Sequence, residues 1–233
     1  MMKKILVSFL LLHSVIAFAG GRGDDPMLTM AKINQIEWRE TDQGDAAVVE
    51  ADAWLGKDLN KFWLKVDVER MKGNTDDLEL QFLYSRAIAA YWDLQIGWRH
   101  DHLPSANRDW LTVGFQGLAA YFFEIDSALF IGEGGQAALR IEAEYEVLLT
   151  QRLILMPELE VNIYSKYDAD LGLGSGLSDV ALGLRLRYEI TREFAPYIGI
   201  NWVSKYGKTA DLAKNDGESV RDAQFVVGVR AWF

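Results

Sequence analysis

Between Leu139 and Val147 the chain alternates without a break: Arg140, Glu142, Glu144 and Glu146 interleave with Leu139, Ile141, Ala143, Tyr145 and Val147. A period of two puts every charge on one face of an extended strand and every apolar side chain on the other, whereas a helical period would mix them. The pattern recurs. Residues 152–164 set Leu153, Leu155, Pro157, Leu159, Val161 and Ile163 against Met156, Glu158, Glu160 and Asn162. Residues 177–190 set Val180, Leu182, Leu184, Leu186 and Tyr188 against Asp179, Arg185, Arg187 and Glu189. Two architectures accept such strands: a soluble sandwich with its apolar faces packed together, and a barrel in lipid with its apolar face outward and its polar face enclosed. Every segment here carries the same dyad and none reads as a covering helix, which favours the barrel.

The beginning of the chain fits that destination. Lys3 and Lys4 precede an apolar stretch over residues 5–18, closed by Ala17-Phe18-Ala19. This is the form of an export signal, residues 1–19, and is shorter than the roughly 20 apolar residues of a membrane helix. Residues 20–29 then form a short periplasmic segment. Without Lys3 and Lys4 the chain keeps 22 basic against 34 acidic side chains, a net charge of −12, which argues against a nucleic-acid partner. The absence of Cys excludes disulfides, thiolate metal sites and cysteine nucleophiles. No later apolar run approaches the length of a membrane helix, so residence in a membrane requires a barrel.

From residue 30 to 233 the alternation divides into twelve segments: 30–41, 46–55, 61–70, 77–86, 91–101, 108–118, 121–131, 136–149, 152–164, 177–190, 195–206 and 222–233. The connections at 56–60, 87–90, 119–120, 150–151 and 191–194 are tight. Those at 42–45, 71–76, 102–107, 132–135, 165–176 and 207–221 are polar and mostly longer. Short turns at one end and long loops at the other are the layout of a bacterial outer-membrane barrel, and an even count brings both chain ends to the periplasmic side. The expectation is an all-β, antiparallel transmembrane barrel of about twelve strands in the outer membrane of a Gram-negative bacterium. Trp38, Trp92, Trp98 and Trp202 have lipid parity near segment ends, as an aromatic girdle requires, while Trp54, Trp63, Trp110 and Trp232 have lumen parity. The chain closes on an outward series of Phe225, Val227, Val229, Ala231 and Phe233, similar to the terminal aromatic signal of such barrels.

Several stretches are long enough to carry a resemblance. GKDLNKFWLK at residues 56–65, ELQFLYSRAIAAYWDLQIGWRHD at 79–101, GLAAYFFEIDSALFIGEGGQAALRIEAEYEVLLTQR at 117–152, GSGLSDVALGLRLRYEITREFAPYIGINW at 174–202 and the terminal VGVRAWF resemble the copper resistance protein B family. The likeness runs from about Trp54 to the end. It implies an outer-membrane protein of copper tolerance that acts beside a periplasmic multicopper oxidase, and the small number of Met and His in this chain makes copper a weakly bound ion. One departure stands out. The family carries a Met- and His-rich segment ahead of the barrel, suited to copper by its thioethers and imidazoles; residues 20–29 offer only Met27, followed by Met30, and no His.

The chemistry concentrates in the lumen. With the hairpin connections fixing register, Glu124, Glu144 and Glu158 fall in one row across three strands, and Asp126, Glu142 and Glu160 in the next. Like charges placed opposite one another destabilise a sheet, so these rows need cations. Arg99, Arg140, Arg185, Arg187, Arg230 and Lys65 share the lumen parity and can supply them as salt-bridged filling. The alternative is a metal site or cation path; hard carboxylates suit Ca, Mg or Mn better than Cu(I), and Met156 is one soft atom among them. His100 and His102, flanking Asp101, are the remaining candidate ligands. A passive structural or pore-forming barrel therefore competes with a copper-handling one. An outer-membrane lipid hydrolase would use a His and a Ser on the lipid face. His100 has that parity, but no G-x-x-H-x-S-N-G-like context surrounds it and Ser105 lies beyond Pro104, so no enzyme and no catalytic residue is expected.

Overall fold

A computed structural model describes residues 25–71, 74–104, 107–168 and 172–233. The expected export signal lies outside them. The strands are β1 (Leu28–Thr41), β2 (Gly44–Gly56), β3 (Asn60–Met71), β4 (Asn74–Ala89), β5 (Trp92–His102), β6 (Asn107–Leu118), β7 (Glu124–Gly132), β8 (Ala137–Glu144), β9 (Val147–Leu148), β10 (Leu153–Tyr164), β11 (Gly176–Tyr188), β12 (Phe194–Lys205) and β13 (Arg221–Trp232). Each pairs antiparallel with its neighbours, β8 and β9 both run along β10, and β13 returns to β1 through pairs from Lys32–Trp232 to Glu40–Phe225. The result is a closed barrel of twelve staves, β8 and β9 forming one of them. Ala31 and Phe233 seal the seam with reciprocal backbone hydrogen bonds of 2.8 and 3.1 Å.

Burial is inverted relative to a soluble protein. On β11 the outward Leu182 is 50% exposed, whereas the inward Arg185 and Arg187 are 4% and 5% exposed. Such a wall is stable only where the outside is apolar, which is lipid. Trp38, Trp98 and Trp202 stand exposed on that outer surface as expected. Trp54 and Trp63 face inward and pack on each other at 6.2 Å. Trp232 sits at the rim, where its Nε1 donates to the Arg192 carbonyl at 2.8 Å.

Four expectations need correction. The segment expected over 136–149 breaks at Tyr145 and Glu146 into β8 and β9. Tyr145 still donates to the Pro157 carbonyl at 3.1 Å, but Pro157 has no N–H to return the bond, so the ladder fails there. The strand expected from residue 121 starts at Glu124; Tyr121 and Phe122 adopt φ of 65° and 66° in the turn, so their aromatic character misleads. β1 begins at Leu28, two residues ahead of the expected start. The connection over 207–221, expected as a polar loop, holds a helix, α1 (Gly207–Asn215). Thr209, Ala210 and Ala213 form its buried stripe against β11 and β12, and Gly207 at φ 53° turns the chain into it.

Candidate functional site

The two acid rows form in the register expected. Glu124 pairs with Glu144 and Glu144 with Glu158; Asp126 pairs with Glu142 and Glu142 with Glu160. The cations that neutralise them come partly from across the lumen and partly from neighbouring strands. Lys65 on β3 reaches Asp126 on β7 at 2.5 Å. Arg185 bonds Glu158 and, across the seam, Glu37 on β1 at 2.6 Å. Arg230 lies 3.2 Å from Glu144, and Arg187 lies 2.8 Å from Glu146. Gly183 leaves the space these groups need, since a Cβ there would fall 2.4 Å from Arg185 Nη1.

A second acidic wall escaped the sequence reading. Register places Glu50 beside Asp67, Asp67 beside Glu79, and Glu79 beside Asp101 on β2 to β5. Asn34 donates to Glu50 at 3.2 Å and to Asp52 at 2.9 Å. The same alternation rule, applied across the connections at 56–60, 71–76 and 87–90, would have found this wall. The two walls are bound together: Arg140 on β8 donates to Glu79 on β4 at 2.9 and 3.1 Å, and it holds Glu142 and Glu160 more loosely at 3.9 and 3.7 Å.

Between the walls lies a cavity of about 400 Å³. Its lining includes ten Asp and Glu against five Lys and Arg, and reaches Gly117, Leu118 and Glu124 at the turn end of the barrel, the end where β1 begins and β13 finishes. Met156 contributes a buried thioether, but its Sδ lies 3.1 Å from Arg187 Nη1 and 3.9 Å from Arg230 Nη1. Toward the loop end the lumen is filled by buried side chains, among them Trp110, Phe130, Glu79 and Arg99. Among the described residues no group of three or more His, Asp or Glu is arranged to hold a metal ion. The two His are separate from the acid rows. His100 stacks on the outward Trp98 at 5.5 Å and meets Asp109 at 2.8 Å, and His102 meets Asn107 at 2.6 Å, both at the loop end. What the cavity offers is therefore a concentration of carboxylates, an attractive field for cations without one rigid cage.

The chain is similar to known proteins of one family. The family described as copper resistance protein B precursor matches residues 27–233. Copper resistance protein B of Escherichia coli is 47% identical over 210 residues, covering 90% of this chain and 71% of that protein. A copper resistance protein B homolog of Pseudomonas syringae pv. tomato is 44% identical over 200 residues, covering 86% of this chain and 68% of that protein. Among solved structures, the NanC porin superposes with a TM-score of 0.57 at 10% identity, covering 86% of this chain and 98% of that one. The KdgM porin in complex with disordered oligogalacturonate gives 0.53 at 13% identity, covering 88% and 99%. At such identities the porins share the barrel fold alone.

Proposed function

Because this chain belongs to the copper resistance protein B family, we propose that it serves copper resistance by taking copper ions into the acid-lined cavity from the periplasm and passing them outward across the outer membrane. The observation that carries this reading is the cavity of about 400 Å³ with its twofold excess of carboxylates, reaching the turn end. Short turns face the periplasm in barrels of this kind, so that mouth meets periplasmic copper. Conduction requires sites that are favourable enough to enter and weak enough to leave. Acids already engaged with arginines provide that, since an ion displaces a guanidinium rather than filling a ready cage. Carboxylates prefer Cu(II) over the softer Cu(I), so the barrel is matched to a periplasmic multicopper oxidase that presents the oxidised ion. Glu124, Asp126, Glu142, Glu144, Glu158 and Glu160 are the residues assigned to transit. His100 and His102 are assigned to the outer surface, where they could take up only a released ion.

Deletion of the gene tests this: copper tolerance should fall more than zinc or detergent tolerance, and the cloned gene should restore it. Unchanged copper tolerance under conditions where the protein is made would reject the reading. The ion pairs spanning the lumen support a second one, a rigid barrel with no cargo, and that outcome would favour it.

A further inference from the structure

Phe130 projects into a lumen lined mainly by charged and polar side chains and is only 1% exposed. Two guanidiniums flank its ring: Arg99 Cζ lies 4.4 Å from the centroid and Arg140 Cζ 5.6 Å, both within cation–π range. The same two arginines share one carboxylate. Arg99 Nη2 lies 2.8 Å from Glu79 Oε2, and Arg140 meets both Glu79 oxygens. Arg99 is held again by Asp101 at 2.6 Å, and Asp101 accepts from Trp110 Nε1 at 2.8 Å. Trp110 in turn lies over Gly132, where a Cβ would come within 2.7 Å of its ring.

Along the wall, β4 and β8 are four strand spacings apart, roughly 19 Å. A direct Glu79–Arg140 bond is therefore a chord across the lumen. It stands on the loop side of the acid cavity, and the small pocket beside Trp110 and Tyr164 toward the loop end holds only about 10 Å³. We propose that the Arg99–Glu79–Arg140 clamp on Phe130 is the gate of the barrel: it shuts the lumen between the acid cavity and the loop end, and opens when Glu79 releases an arginine and the ring swings aside. The gate rests on the reading of the cavity as an ion path and supplies its control point.

The test is conductance of the full-length protein in planar lipid bilayers bathed in potassium chloride. Wild-type barrels should stay closed apart from brief openings. Phe130→Ala should raise the mean current about tenfold or more, as expected when an open state populated at roughly 10% or less becomes the main one. Phe130→Val, which keeps more of the volume, should also conduct above wild type and is the variant to measure if the alanine form does not fold; folding is read from heat-modifiable gel mobility. Steady conduction by the wild type, or a folded Phe130 variant as tight as wild type, overturns the gate. Potassium chloride contains no copper, so a failed gate leaves the copper reading to the deletion strain, and a failed deletion phenotype leaves the gate measurable.

Discussion

Glu79 is 5% exposed and accepts hydrogen bonds from Arg140 and Gln81 while pairing with Arg99. Replacing it by Gln leaves two buried guanidiniums short of their common acid, which should cost roughly 3–5 kcal/mol. Denaturant unfolding in detergent micelles checks this, and a loss below about 1 kcal/mol would mean that Glu79 is not the anchor described here. Glu142 and Glu160 differ in kind, since each stands nearly 4 Å from Arg140 and they oppose one another in register. The double variant Glu142→Gln/Glu160→Gln should unfold within about 1 kcal/mol of wild type and yet bind divalent cations more weakly by calorimetry. A large loss of stability with unchanged cation binding would make these two acids struts. The acid rows were legible in the sequence because alternation sets parity and hairpin centres set register. Their partners were not, because Arg140 and Glu79 or Lys65 and Asp126 meet across the lumen, a distance that no local spacing encodes.

At the scale of elements, the strands were legible wherever a segment's own residues decide its state, and misread wherever a neighbour does. Tyr145 is a good strand residue whose ladder fails because of Pro157 on the adjacent strand. α1 is short, and its apolar stripe is two alanines and a threonine, too slight for periodicity to register against a polar surround. Tertiary bonds hold it: Thr209 Oγ1 accepts from the Gly174 N–H at 2.8 Å and lies 3.0 Å from Ser178 Oγ. Thr209→Val should cost about 1 kcal/mol and speed proteolysis within residues 207–221; an unchanged cleavage rate would mean that the helix is held otherwise. On the outer face, Leu182 lies midway along β11. Leu182→Arg there should cost about 2–4 kcal/mol of barrel stability in lipid, and no cost would contradict a lipid-facing surface.

The molecule as a whole combines an apolar exterior, a charged interior with a cavity in it, and a first and last strand that start and finish at the end with the shorter turns. Parity and loop lengths were enough to anticipate the closed twelve-stave barrel, while the cavity and the plug above it depend on how side chains from opposite walls meet. Orientation follows from the turns: a cysteine introduced at the exposed Asn215 should react with an impermeant thiol reagent on intact cells, and one at Leu149 only after the outer membrane is ruptured. The reverse pattern would place the acid cavity toward the outside and remove its access to periplasmic copper. The central claim, that the cavity acids move copper, is tested most directly by periplasmic copper content after a copper load in a deletion strain carrying either the wild-type gene or Glu124→Gln/Glu142→Gln/Glu160→Gln. The wild-type gene should return copper to its normal level, whereas the triple variant, present in the outer membrane in equal amount, should leave it near the level of the deletion strain. Full restoration by the triple variant would contradict the account.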